Sequence, residues 1–220
     1  MNTLTTEPTV SLISRLFAEA EASDAQLRQR ASTASPEELG AMMRSTTDYR
    51  EFYGRVKEFY LAVSPDAAKL LYMLARSTRA RSIVEFGTSF GLSTIHLAAA
   101  LRDNGGGRLI GSEFETAKVA KARENLRAAE LSDLVEIREG DALETLARDL
   151  PETVDLVLLD GAKGLYSKVL SLLEGRLRTG ALIVADNADY CPDYLARVRA
   201  PDAGYLSVPF ADDIELSMRN

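Results

Sequence analysis

Cysteine is almost absent from this chain. Cys191 stands alone, which excludes an internal disulfide and a thiolate zinc site. Histidine is equally scarce, with His96 the single instance, so a multi-histidine metal centre is excluded too. Any bound metal must rely on oxygen donors, which suits Mg, Ca or Mn. No stretch approaches the roughly 20 apolar residues that span a bilayer, and residues 1–17 lack a basic segment followed by a long apolar run. The chain therefore reads as a cytoplasmic protein with no membrane partner. Basic residues are in deficit, 26 Lys and Arg against 33 Asp and Glu, for a net charge of −7. That balance argues against nucleic acid as a general partner. Internal repeats and low-complexity tracts are also lacking.

What is present is an apolar fraction of 46% over 220 residues, enough for one domain, alone or with a helical extension. The pattern changes near residue 80. Before it, apolar residues recur at helical spacing: Val10, Ile13, Leu16, Phe17 and Ala20, then Tyr49, Phe52, Tyr53, Val56, Phe59 and Tyr60. Ser35-Pro36-Glu37-Glu38 and Ser64-Pro65-Asp66 both read as helix starts. Residues 1–60 are expected to form a helical extension, part of the same domain or a dimer contact, ahead of a main domain over 61–220. The aromatic stripe of that extension suits core or dimer contact better than a pocket wall, and its apolar excess predicts a homodimer.

After residue 80, short aliphatic runs alternate with helical patterns. Strands are predicted at 82–86, 108–113, 135–138, 154–160 and 181–186, with helices at 92–102, 115–130, 143–150 and 166–176. Repeated βα units give a parallel sheet covered on both faces, an α/β fold. Residues 205–208 and 214–218 read as a closing hairpin, with one antiparallel strand at the sheet edge. Ligands of such sheets bind beyond the carboxyl ends of the strands, so the residues there carry the functional argument.

The first strand runs into Glu85-Phe86-Gly87-Thr88-Ser89-Phe90-Gly91-Leu92-Ser93. Its glycines allow a tight turn and close approach of a ligand, and the next helix opens with free N–H groups. A tight turn without ligand has the same appearance. The second strand ends in Glu113, which is either an exposed acid or an acceptor for the two hydroxyls of a ribose. Asp141, before Ala142, either caps the next helix or lines an adenine edge, or both. Asp160 and Asp186-Asn187 end the fourth and fifth strands. They are either loop caps or two carboxylates and an amide that form a partly filled shell for a hard cation. Lys163 reaches the same point, and burial beside a cation would lower its pKa towards that of a base. His96 reads as a packed helix residue.

Taken jointly, these residues resemble the cation-dependent O-methyltransferases of the catechol and caffeoyl-CoA type, within the class I methyltransferases that use S-adenosylmethionine. The resemblance runs from about Val63 to the C-terminus. It implies a Rossmann-like, mostly parallel seven-stranded sheet with helices on both faces. It also implies that Glu85, Gly87, Thr88 and Ser93 hold the methionine end of S-adenosylmethionine, with Val63 beside them. Glu113 would take the ribose, and Asp141 and Ala142 the adenine. Asp160, Asp186 and Asn187 would bind Mg²⁺ (or Mn²⁺ or Ca²⁺), with Asp160 also near the cofactor. Lys163 would be the general base, and Glu215 would touch the substrate hydroxyl. The acceptor would be a small aromatic molecule of catechol type.

The chain departs from that family in two places. Many members read Asp-Ala-Asp-Lys where this sequence has Asp160-Gly161-Ala162-Lys163, so one acid is missing. Tryptophan is absent altogether, which removes the indole walls of the animal catechol pocket; Tyr190, Cys191 and Pro192 are candidates for a replacement wall. Two other readings are a methyltransferase of the same family acting on a modified tRNA base, and a nucleotide-binding oxidoreductase. The missing third glycine and the Asp160, Asp186 and Asn187 set count against the second.

Overall fold

The computed structural model describes residues 2–31, 35–211 and 213–220. Seven strands form one sheet in the order β3-β2-β1-β4-β5-β7-β6. They are β1 (Ser82–Phe86), β2 (Arg108–Glu113), β3 (Val135–Glu139), β4 (Val154–Leu159), β5 (Leu177–Ala185), β6 (Tyr205–Phe210) and β7 (Ile214–Arg219). The first five are parallel, and β7 runs antiparallel to both β5 and β6. The antiparallel strand is thus one place in from the edge, not at the edge as the sequence suggested. A short helix (Pro192–Arg199), absent from the sequence reading, carries the chain outward before β6, and β7 turns back into the gap.

The helices are α1 (Thr9–Ala31), α2 (Pro36–Met43), α3 (Tyr49–Arg55), α4 (Pro65–Ser77), α5 (Leu92–Asp103), α6 (Thr116–Ala128), α7 (Ala142–Thr145), α8 (Tyr166–Leu173) and α9 (Pro192–Arg199). Strand side chains alternate between faces. Ile83, Leu156 and Leu158 join the core under α4, α5 and α6, while Val84, Val157 and Leu159 join the core under α8 and α9. Ser64 caps α4 by accepting from Ala67 N at 3.1 Å, and Pro65 follows it in the first turn, as Ser-Pro-Asp implied.

Helix α5 is buried from Leu92 to Leu101, because α4 and α1 cover the side turned away from the sheet. Leu12 and Leu16 of α1 belong to the same core as α5, so the N-terminal helix is packed into the body of the fold. His96 lies within this layer. Its Nδ1 is 2.8 Å from Leu92 O and its ring meets Phe17 edge-on at 5.9 Å. Among the described residues, no helix is long and apolar enough to cross a membrane.

Candidate active site

The strand order reverses between β1 and β4, and the loops that follow these strands leave the sheet side by side. Phe86 pairs with Leu159, and Asp160 N donates to Phe86 O at 2.8 Å. Gly87 has φ of +98°, and a Cβ there would lie 2.4 Å from Asp160 O. Only glycine lets the two turns touch. From β2, Ser112 O accepts from Gly87 N at 3.1 Å and Thr88 N at 3.2 Å.

Over these turns lies a cavity of about 650 Å³, its open mouth included, lined by Gly87, Ser89, Glu113, Asp141, Ala142 and Asp160 among others. Glu113 is fixed at its rim, accepting from Ser89 N at 2.8 Å and Glu115 N at 3.0 Å. Asp141 caps α7 by accepting from Leu143 N at 2.9 Å. Its other oxygen accepts from Tyr49 Oη at 2.8 Å and pairs with Arg50. Burial raises the Asp141 pKa, but Leu143, Arg50 and Tyr49 together hold it below the ordinary carboxylate value. The cap reading and the cavity reading of Asp141 are therefore compatible.

Glu85, Thr88 and Ser93 are not on the cavity wall. Glu85 is fully buried beneath it, on the α5 side of β1. Ser93 Oγ donates to its Oε1 at 2.6 Å, and Thr94 and Thr88 donate to its Oε2 at 2.5 and 3.1 Å. Burial pushes its pKa up to about 7, against the three hydroxyls, which lower it. These groups brace the glycine turn from below. Val63 is also buried and lines a different depression, beside Asp186 and Asn187.

Asp160 and Asp186 bring their carboxyl groups into contact at the strand ends. Burial raises the pKa of both, and each acid also bears on the other. The Lys163 ammonium pulls both back down, and a bound divalent cation would favour their charged forms further. Asn187 adopts a left-handed conformation, φ 48° and ψ 43°. Its Nδ2 donates to Asp213 Oδ2 at 3.0 Å, which leaves the amide oxygen free to ligate. Two carboxylates and an amide oxygen fit a hard divalent cation, with water or substrate oxygens completing the shell. No group of three or more His, Cys, Asp or Glu suited to a metal occurs among the described residues, so the amide is needed.

Lys163 Nζ lies 3.1 Å from Asp160 Oδ1, 2.9 Å from Tyr166 Oη and 3.3 Å from Asp186 O. Tyr166 Oη in turn donates to Asp186 O at 2.8 Å. The sequence suggested a lowered lysine pKa. Burial does pull it down, but Asp160, then Tyr53 and Asp186, push it well above the ordinary value. With the acids unneutralised, Lys163 is a held ammonium.

A second cavity, about 1420 Å³ with its open mouth, lies above Asp160, Lys163, Asp186 and Asn187. Its walls come from the N-terminal segment: Leu27, Met43, Phe52, Tyr53, Val56 and Phe59. The aromatic stripe read as core or dimer contact does contribute to the core through Tyr49 and Phe59, and Tyr49, Phe52, Tyr53 and Phe59 also form cavity wall. Helical spacing reveals an apolar face but not what the face meets. Tyr190, Cys191 and Pro192 line a separate recess behind Lys163. Glu215 is bound by Arg199 at 2.6 and 2.8 Å and by Ser207 at 2.6 Å, and it lines neither cavity.

Sequence reasoning missed Tyr49, Arg50 and Lys118, which all line the first cavity. Lys118 Nζ donates to Ser89 Oγ at 3.1 Å and stands over the Phe90 ring at 5.3 Å. Its only sequence signal was a charge falling among the buried positions of α6.

Three comparisons bear on this geometry. A family model described as a methyltransferase domain matches residues 84–188. Catechol O-methyltransferase of Niastella koreensis is 38% identical over 130 residues, covering 58% of this chain and 58% of that protein. Catechol O-methyltransferase B of Danio rerio is 32% identical over 174 residues, covering 75% of this chain and 64% of that protein. The chain thus spans less than two thirds of the length of these curated relatives. Among solved structures, the O-methyltransferase TomG of Streptomyces achromogenes, involved in tomaymycin synthesis and in complex with S-adenosylmethionine, superposes with a TM-score of 0.59. It is 26% identical, and the match covers 92% of this chain and 99% of that one.

Proposed function

We propose that this chain, which belongs to the class I S-adenosylmethionine-dependent O-methyltransferases, transfers a methyl group to a hydroxyl oxygen of a small catechol-like acceptor with the help of a divalent cation, acting as a cytoplasmic homodimer. The observation that carries this reading is the meeting of two cavities at Asp160 and Gly161, which line both. One cavity is edged by Glu113 and Asp141; the other stands over Lys163, Asp186 and Asn187.

When bound, S-adenosylmethionine supplies an electrophilic methyl group, and a cation such as Mg²⁺ acidifies a phenol. The chain does the rest. Glu113 accepts the ribose hydroxyls, and Asp141 and Ala142 flank the adenine. Gly87 allows the methionine end to approach the backbone, braced by Glu85, Thr88 and Ser93 below and Val63 to one side. Asp160, Asp186 and the freed oxygen of Asn187 are the cation ligands. The apolar wall of the second cavity excludes water and orients the ring, and Lys163, freed of its proton once a bound cation neutralises Asp160 and Asp186, takes the phenolic proton.

The test is methyl transfer from labelled S-adenosylmethionine to a vicinal diphenol, with Mg²⁺ and with excess chelator. Turnover that requires the metal is expected. The absence of turnover on any diphenol, with cofactor binding intact, overturns the acceptor assignment. Light scattering tests the dimer, for which a mass near 24 kDa would be contrary.

A further inference from the structure

Among the described residues, four line both cavities: Tyr53, Leu61, Asp160 and Gly161. Of these, Leu61 and Gly161 bring no polar side chain, and Asp160 is engaged with Lys163 and Asp186. Tyr53 is different. Its hydroxyl is shielded from solvent and donates no hydrogen bond among the described residues, while the Lys163 backbone N–H is near enough to bear on its oxygen. Its ring is held edge-on against Phe52, 5.0 Å between centroids at 83°. The charges bearing on it are those of Lys163 and Asp160. A buried phenol whose hydrogen has no acceptor is costly, and such a group calls for an explanation. Burial also raises its pKa, so it remains a donor at neutral pH.

We infer that Tyr53 is an acceptor-binding residue, whose hydroxyl donates a hydrogen bond to the acceptor oxygen that receives the methyl group. This rests on the function proposed above. The oxygen must lie where the two cavities meet, since the methyl passes from one to the other. A phenolic oxygen has lone pairs enough to accept from Tyr53 while presenting another to the donor. Because the two hydroxyls of an unsymmetrical diphenol cannot both take that place, Tyr53 selects which is methylated. Helix α3 thereby supplies a specificity determinant as well as a wall.

The variant Tyr53→Phe keeps the ring and removes only the hydroxyl. Three quantities are read on the full chain with Mg²⁺: kcat and KM for a 4-substituted vicinal diphenol, the ratio of its two monomethylated products, and calorimetric binding of S-adenosylhomocysteine. The expected result is a kcat/KM lower by roughly 10-fold, the scale of one lost hydrogen bond. The product ratio should move towards equality, and cofactor affinity should stay unchanged. An altered product ratio beside unchanged cofactor affinity and melting temperature places the effect at the acceptor. Calorimetry with 4-nitrocatechol gives a readout without turnover, and weaker binding to Tyr53→Phe is expected there. A variant that matches the wild type in kcat/KM, product ratio and nitrocatechol binding overturns the inference while the proposed function stands. A wild type that neither methylates nor binds any diphenol overturns both.

Discussion

Tyr49 of α3 donates its phenolic hydrogen to Asp141 at the end of β3, 2.8 Å away. This bond, with the Arg50–Asp141 pair, ties an N-terminal helix to the rim of the first cavity. The sheet alone supplies the floor of that cavity, and α3 supplies the cover. Tyr49→Ala should therefore uncover the cofactor. We expect S-adenosylhomocysteine to bind about 5- to 30-fold more weakly, on the scale of one or two lost interactions of about 1 kcal/mol each, with faster dissociation in stopped-flow. Unchanged affinity and dissociation would show that α3 does not hold the cofactor.

Glu85 makes a prediction about pH. Its pKa in the folded chain is raised to about 7 by burial, from an ordinary 4.5. Between those values the folded chain keeps a proton that the unfolded chain has released. The contribution of Glu85 to stability is thus fully present below about pH 4.5 and is lost as pH rises towards 7. Glu85→Gln, which cannot ionise, should gain on the wild type between pH 5 and pH 8. The relative gain is at most about 3 kcal/mol, measured by urea unfolding without cofactor. A difference that does not change with pH would contradict the burial argument.

The parallel strands were legible in the sequence because each is a short aliphatic run followed by a glycine or acid. The βα repeat then places Gly87, Glu113, Asp141, Asp160 and Asp186 at one edge. Strand alternation also accounts for Glu85: it lies two residues after Ile83, so it faces α5 and meets Ser93 and Thr94 there. What was not legible lay in α1 to α3. A period of 3.6 residues marks Phe52, Val56 and Phe59 as an apolar face, yet the same face could meet core, partner or ligand. The place of β7 within the sheet, one in from the edge, depended on α9, whose pattern was too short to read.

Lys163 provides a kinetic prediction. Tyr166 and the Asp186 carbonyl fix its Nζ beside Asp160, and a cation that neutralised the two acids would leave it there as a proton acceptor. Lys163→Ala should slow the chemical step in single-turnover experiments by roughly 10²-fold or more, as the loss of a general base does. Cofactor affinity should change little, since Lys163 lines only the second of the two cavities. Lys163→Arg should not restore the rate, because guanidinium does not release its proton. Rescue by arginine would mean that the charge alone matters.

The acid pair separates this mechanism from metal-free methyl transfer on the same fold. Asp160 lines both cavities, whereas Asp186 lines the second and not the first. Asp186→Ala should therefore abolish Mn²⁺ binding, followed by electron paramagnetic resonance, and with it turnover, while S-adenosylhomocysteine still binds. Asp160→Ala should impair both, because it also strands Lys163 as a buried charge without its partner, a loss on the scale of 3–5 kcal/mol. A melting-temperature drop larger in Asp160→Ala than in Asp186→Ala is the accompanying signature. In the wild type, Mg²⁺ should raise the melting temperature, since a cation bound only by the folded chain stabilises it and offsets the charge of the two buried acids. Full activity in excess chelator, or an Asp186→Ala enzyme as fast as the wild type, would remove the cation from the reaction and leave the two acids with a purely structural part.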